Sequence, residues 1–139
     1  MASANRFEAF SEHLCEKVHN LDTDTIMAYL SNTTPNLATH GVKADLAEIS
    51  GGNGYTAGGA DTLNATSRSG AVTSITATDI TWTASGGTIG PFRYLVHYND
   101  TPTSPADPLL FHWDYGSAVT LQIGEQFVAD YGSSQFTVG

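Results

Sequence analysis

The chain holds one cysteine, Cys15, in 139 residues. An internal disulfide framework is therefore excluded, and folding does not call for an oxidising compartment. Basic residues are almost as scarce. Arg6, Lys17, Lys43, Arg68 and Arg93 stand against fourteen acids, for a net charge of −9. They are scattered along the chain and form no patch that would neutralise phosphates, which argues against direct nucleic-acid binding. No apolar run is long enough to span a bilayer, so no membrane partner is expected. The opening MASANRFEAF lacks the apolar core of a signal peptide, and a cytoplasm-like setting follows as the expectation. No heptad and no internal repeat of fixed period is present.

What the chain does have is glycine, 14 residues of it, with threonine and serine throughout and an ordinary 40% of hydrophobic residues. That profile belongs to an all-β, turn-rich fold, and the length suffices to bury a core. The stretch Trp82–Gly116 organises the rest. Two aromatic-rich runs, Phe92–Tyr98 and Leu109–Tyr115, flank a segment of Asn, Asp, Pro, Thr and Ser, as in two antiparallel strands joined by a long loop. Alternation puts Phe92, Tyr94, Val96 and Tyr98 on one face and Arg93, Leu95 and His97 on the other. Both faces carry apolar residues, so this strand lies near the centre of a sheet and is covered on both sides.

Residues 3–19 are the one convincing helix, with Ser3 or Asn5 as cap, Asn20 as stop, and Phe7, Phe10, Leu14 and Val18 on one stripe. The stripe packs on the chain's own core or docks on another subunit, and the first use is commoner. The expected organisation is thus an amphipathic N-terminal helix or arm over residues 1–20 and a β-sandwich domain over 21–139. Asp24–Ser31 reads as the first strand, with turn chemistry in Asp22–Thr23–Asp24 ahead of it. Asp45–Ile49 is a helical turn or a short extended piece. The glycine-dense GGNGYTAGGADTL that follows has no Lys-Ser/Thr and no helix after it, so it is no phosphate loop. Its glycines supply backbone freedom, and Tyr55 anchors it. Thr62–Ser67, Ala71–Thr76 and Asp79–Thr83 are further strands. Ala118–Ile123 and Gln126–Asp130 read as a hairpin, and Gln135–Val138 as a last strand. About eight short strands with regular turns indicate an antiparallel β-sandwich or jelly roll with one short helix.

The chain offers little chemistry. His13, Cys15 and His19 match no zinc spacing, and no second ligand pair follows. His97 and His112 on the central strands, near Asp100, Asp107 or Asp114, meet the residue requirement of a metal site, but structural histidines are commoner. No G-x-S-x-G turn presents a nucleophile, and no carboxylate pair stands out from turn-forming aspartates. Neither a catalytic residue nor a cofactor nor a metal is expected. Arg93 is the one base on the central strand, and Asp114 on the partner run is its natural counter-ion, a pair that would fix register.

The order of motifs resembles a family of small virion structural proteins from tailed bacteriophages. The marks are the helix ending at His19–Asn20–Leu21, Asp24–Leu30, Thr34–Pro35, and the run Glu48–Gly59 (EISGGNGYTAGG). Asp79–Trp82, Phe92–Tyr94, Tyr98–Asp100, Pro108–Leu110 and Asp114–Gly116 follow. The resemblance implies a non-enzymatic particle component made in the host bacterial cytoplasm. Its place is the outside of the capsid, as a decoration or cement protein that contacts the major capsid protein and neighbouring copies of itself. The alternative is a tail or fibre component, with a glycan-binding role for Trp113 beside Asp107 or Asp114. Phe7, Phe10 and Leu14 on the helix and Tyr55 on the loop are the candidate contact residues, each with a competing use in the core.

Overall fold

The two longest strands, Ile89–Asn99 and Leu109–Leu121, pair antiparallel and form the spine of the protein. The computed structural model describes residues 4–139. In chain order the elements are β1 (Ala4–Arg6), α1 (Ala9–Cys15), β2 (Ile26–Ser31), β3 (Ala60–Asp61), β4 (Ala65–Ser69), β5 (Val72–Thr76) and β6 (Ile80–Thr83). The spine strands are β7 and β8, followed by β9 (Gln126–Ala129) and β10 (Phe136–Val138). A 3₁₀ turn covers Lys43–Asp45. The strands build a five-stranded sheet, β1-β8-β7-β2-β3, a three-stranded sheet, β10-β5-β4, and the pair β6-β9. The fold is an antiparallel β-sandwich with one short helix, as the pattern of strands predicts.

Hydrophobic burial runs on both faces of the large sheet. One cluster joins Leu30, Leu95, Phe111 and Trp113 to Ile75 of β5 and to Ile80, Trp82 and Ala129 of the β6-β9 pair. A smaller one on the opposite face gathers Phe7, Tyr29, Leu46, Tyr94, Val96, Tyr98 and Leu109. Phe92 departs from the expected alternation and packs in the first cluster with Leu95. The cause is a break of register: Tyr94 faces Asp114 while Phe92 faces Val119, so β8 spends Tyr115–Ala118 on an excursion opposite Arg93. Such irregularities bend a strand and re-aim its side chains.

Two further expectations are corrected. The helix is shorter than residues 3–19. Ala4–Arg6 is drawn into the sheet against Phe111–Trp113, and the Phe7 amide continues that pairing by donating to the Leu110 carbonyl. Asn5 lies in β1, the N-cap position of α1 falls at Glu8, and Ser3 lies outside the described residues. At the other end Lys17 takes a positive φ of 65°. Val18 then donates to the His13 carbonyl and Lys17 to that of Leu14, a Schellman closure that glycine ordinarily provides. Asn20 instead seats the next turn, where its side-chain oxygen accepts from the amides of Asp22 and Thr23. The second correction concerns residues 118–130. Ala118–Leu121 belongs to β8 and pairs with the start of β7, and β9 pairs with β6. A turn at Gly124–Glu125 is present, but Ala84 clasps it through two backbone hydrogen bonds and sends β9 toward β6.

Candidate functional site: a groove between two strand edges

The sandwich closes on one side and stays open on the other. On the closed side the chain itself crosses between sheets. Asn64 donates to the Leu21 and Asp24 carbonyls and accepts from the Ile26 amide, Thr62 bonds the Ile26 carbonyl, and Gln135 bonds Thr62. On the open side the last strand of the large sheet is β1 and the last strand of the small sheet is β10. Among the described residues each leaves one backbone edge without a strand partner. Between them lies a groove of about 390 Å³ lined by Ala4, Arg6, Phe10, Leu110, Phe111, Phe136 and Thr137. Its floor is aromatic: Phe136 meets Phe10 edge-on at 5.7 Å and Phe111 at 5.2 Å between ring centroids.

Charge in the groove comes from Arg6. Its guanidinium lies 5.9 Å from the centre of the Phe10 ring, and it forms no ion pair among the described residues. Three of the other four bases are engaged, Lys43 with Glu48, Arg93 with Asp114, and Arg68 with the Gly70 carbonyl, and Lys17 lies past the end of α1, away from the groove lining.

The residues singled out in the sequence do not converge on one surface. Phe7 (0% exposed), Phe10 (1%) and Tyr55 (2%) are core residues, so they are not available as an exposed contact stripe. Leu14 is half-buried against the first cluster. Phe10 reaches the groove as part of its floor.

Tyr55 anchors the glycine-rich loop. Its hydroxyl donates to Glu48 at 2.5 Å and accepts from the Leu30 amide at 3.0 Å. The short β3 covers only Met27 and Ala28, so this hydroxyl satisfies the next free donor of the β2 edge. Glu48 also accepts from the Gly58 amide and from Lys43 Nζ, and the Lys43 ammonium lies over the Tyr29 and Tyr98 rings at 4.9 and 5.6 Å. Burial pushes the Tyr55 and Tyr29 phenols well above their ordinary range. This network spends its charges internally and holds the loop on the sheet.

His19 and His97 are packed in the interior. His97 is buried, stacks on Phe111 at 3.9 Å and contacts the Tyr131 hydroxyl through Nε2 at 2.7 Å. Burial lowers its pKa to about 3, and that of His19 to about 4. The Asn99 amide nitrogen contacts Asp24 at 2.7 Å and His19 Nδ1 at 3.0 Å, while its oxygen accepts from the Thr101 amide. With the amide fixed in that orientation, His19 Nδ1 is the acceptor and its proton sits on Nε2. The His13 ring meets that of His19 edge to face, with 6.0 Å between centroids. No group of three or more His, Cys, Asp or Glu placed to hold a metal occurs among the described residues.

Arg93 donates to both carboxylate oxygens of Asp114, at 2.8 Å from Nε and 3.1 Å from the terminal nitrogen. The Gly116 amide donates to the same carboxylate at 2.7 Å. These bonds, the Arg93 ones foremost, hold the Asp114 carboxyl below the usual range. Asp107, by contrast, is raised by burial and by Asp100 nearby. Trp113 is buried, so it is no surface platform for a sugar. No family model, no curated protein and no solved structure matches this chain.

The groove escapes sequence reasoning because it needs β1, and β1 sits inside what reads as a helix. The pairing of residues 4–6 with β8 leaves no local signal, since Ser3 and Asn5 read equally well as helix caps.

Proposed function

We propose that the chain is a bacteriophage virion structural protein, a decoration or cement protein that binds the outside of the head and bridges major capsid subunits. The observation that carries this reading is the open side of the sandwich, where β1 and β10, outermost in their sheets among the described residues, flank an aromatic-floored groove. An exposed edge offers main-chain hydrogen bonds to an added strand, with side-chain pockets to select it. A rigid body with such an edge acts as a clamp, and repetition over a shell turns weak contacts into strong attachment. The polar network that Glu48 makes with Lys43, Tyr55 and the Gly58 amide suits a scaffold whose task is to hold shape. The order of motifs that resembles phage virion proteins supports the same role.

Cosedimentation of the purified chain with DNA-filled heads lacking it tests the reading. We expect saturable binding and heads that resist heat better. Absence of binding, with the protein found in purified tails, would move it to the tail.

A further inference from the structure

Resting on that reading, we propose that the groove between β1 and β10 is the attachment site, and that its occupant is an extended segment of the capsid protein carrying a carboxylate that meets Arg6. Three observations converge. The groove is bounded by β1 and β10, which are outermost in their sheets among the described residues, so an extended backbone laid between them meets strand edges along its length. Its floor of Phe10, Leu110, Phe111 and Phe136 accepts the apolar side chain that alternates toward the core. Its rim carries Arg6, whose guanidinium rests near Phe10 without an ion pair among the described residues.

The charge argument selects the occupant. In a chain of net −9, a base at the mouth of a groove with no carboxylate of its own is complementary to an acid brought by the partner. The remaining negative charge of the surface opposes such a partner only weakly, because it is screened beyond about 8 Å at physiological salt. Arginine also suits the task, since its planar fork takes a carboxylate in a bidentate bond.

The test is a titration of the full-length, isotopically labelled protein, followed by amide shifts. The probes are a short peptide of alternating valine and threonine with one central glutamate, and its lysine counterpart. We expect the glutamate peptide to shift the amides of Ala4–Arg6 and Phe136–Val138 saturably. The lysine peptide should bind more weakly by about tenfold or more, and Arg6→Glu should reverse the preference. Equal binding of the two peptides, or shifts confined to other strands, would overturn the proposal. So would broadening of the same amides on concentrating the protein without peptide, which would assign the groove to a second copy. Head binding separates this failure from that of the function. If wild type and Arg6→Glu bind heads equally, the groove is wrong and the function stands. If neither binds heads while the peptide preference holds, the groove stands and the function is wrong.

Discussion

Arg93 and Asp114 grip each other across the place where β7 and β8 fall out of register. The same carboxylate that takes two hydrogen bonds from Arg93 also takes the amide of Gly116, which sits at a positive φ of 82° in the excursion of β8. One acid thus ties the central strand to the start of the detour. The pair is half-exposed, so its value lies in geometry more than in charge.

From this the order of two substitutions follows. Asp114→Ala removes both the arginine contact and the Gly116 anchor, whereas Arg93→Met removes only the first. We expect urea midpoints to fall further for Asp114→Ala, and the double variant to match Asp114→Ala. Strict additivity of the two single effects would contradict a shared interaction.

Tyr55→Phe should cost about 1–3 kcal/mol, because it strands the buried Leu30 amide and leaves Glu48 one donor short. Hydrogen exchange at the Leu30 amide should accelerate with it. A change of a few tenths of a kcal/mol, with Leu30 still protected, would show that the hydroxyl does not close the β2 edge.

Gly59 has a φ of +84°, and an added Cβ would run into the Ala28 carbonyl of β2. Gly59→Ala should therefore destabilise by more than about 1 kcal/mol. Gly41→Ala, at an ordinary φ with its nearest neighbour 3.7 Å away, should not. Equal thermal midpoints for the two variants would refute the close approach of loop and strand.

Acid should weaken the fold before the carboxylates titrate. His19 and His97 are buried neutral, with pKa values lowered from 6.5 to about 4 and about 3, and His112 is lowered in the same direction by burial. A lowered pKa means the unfolded chain binds the proton first, so stability is full above pH 6.5 and declines as the pH falls toward 4. The slope is about 1.4 kcal/mol per pH unit for each of His19 and His97. Urea midpoints across this range, with ring-proton titrations by NMR, provide the check. A flat profile, or a His97 ring that titrates near pH 6.5, would contradict its burial.

The central strands, their two covered faces and the Arg93–Asp114 pair could be read from alternation and composition, because burial on both faces leaves continuous apolar runs. Tyr55 as a loop anchor was legible too, as the lone aromatic among glycines. The N-terminus was not. Phe7 and Phe10 fit a helical stripe, yet they serve two different clusters on opposite faces of the large sheet, since residues 4–6 pair with β8 before the helix begins. Lys17 closes the helix in a conformation that no local signal announces. The fate of β9 depended on Ala84, distant in sequence, and Phe92 changed faces through a register break invisible to a period of two. Except at Lys17, whose closure is local, a long-range backbone contact overrode a local pattern.

The proposed virion role is tested most directly by quantitative mass spectrometry of purified, DNA-filled phage particles released by cells that carry this gene, counting copies of the chain against the major capsid protein. A capsid decoration protein should appear in fixed proportion to the capsid subunits and disappear when heads are stripped without breaking the shell. Absence from the particle, or a few copies that leave with the tail, would contradict it.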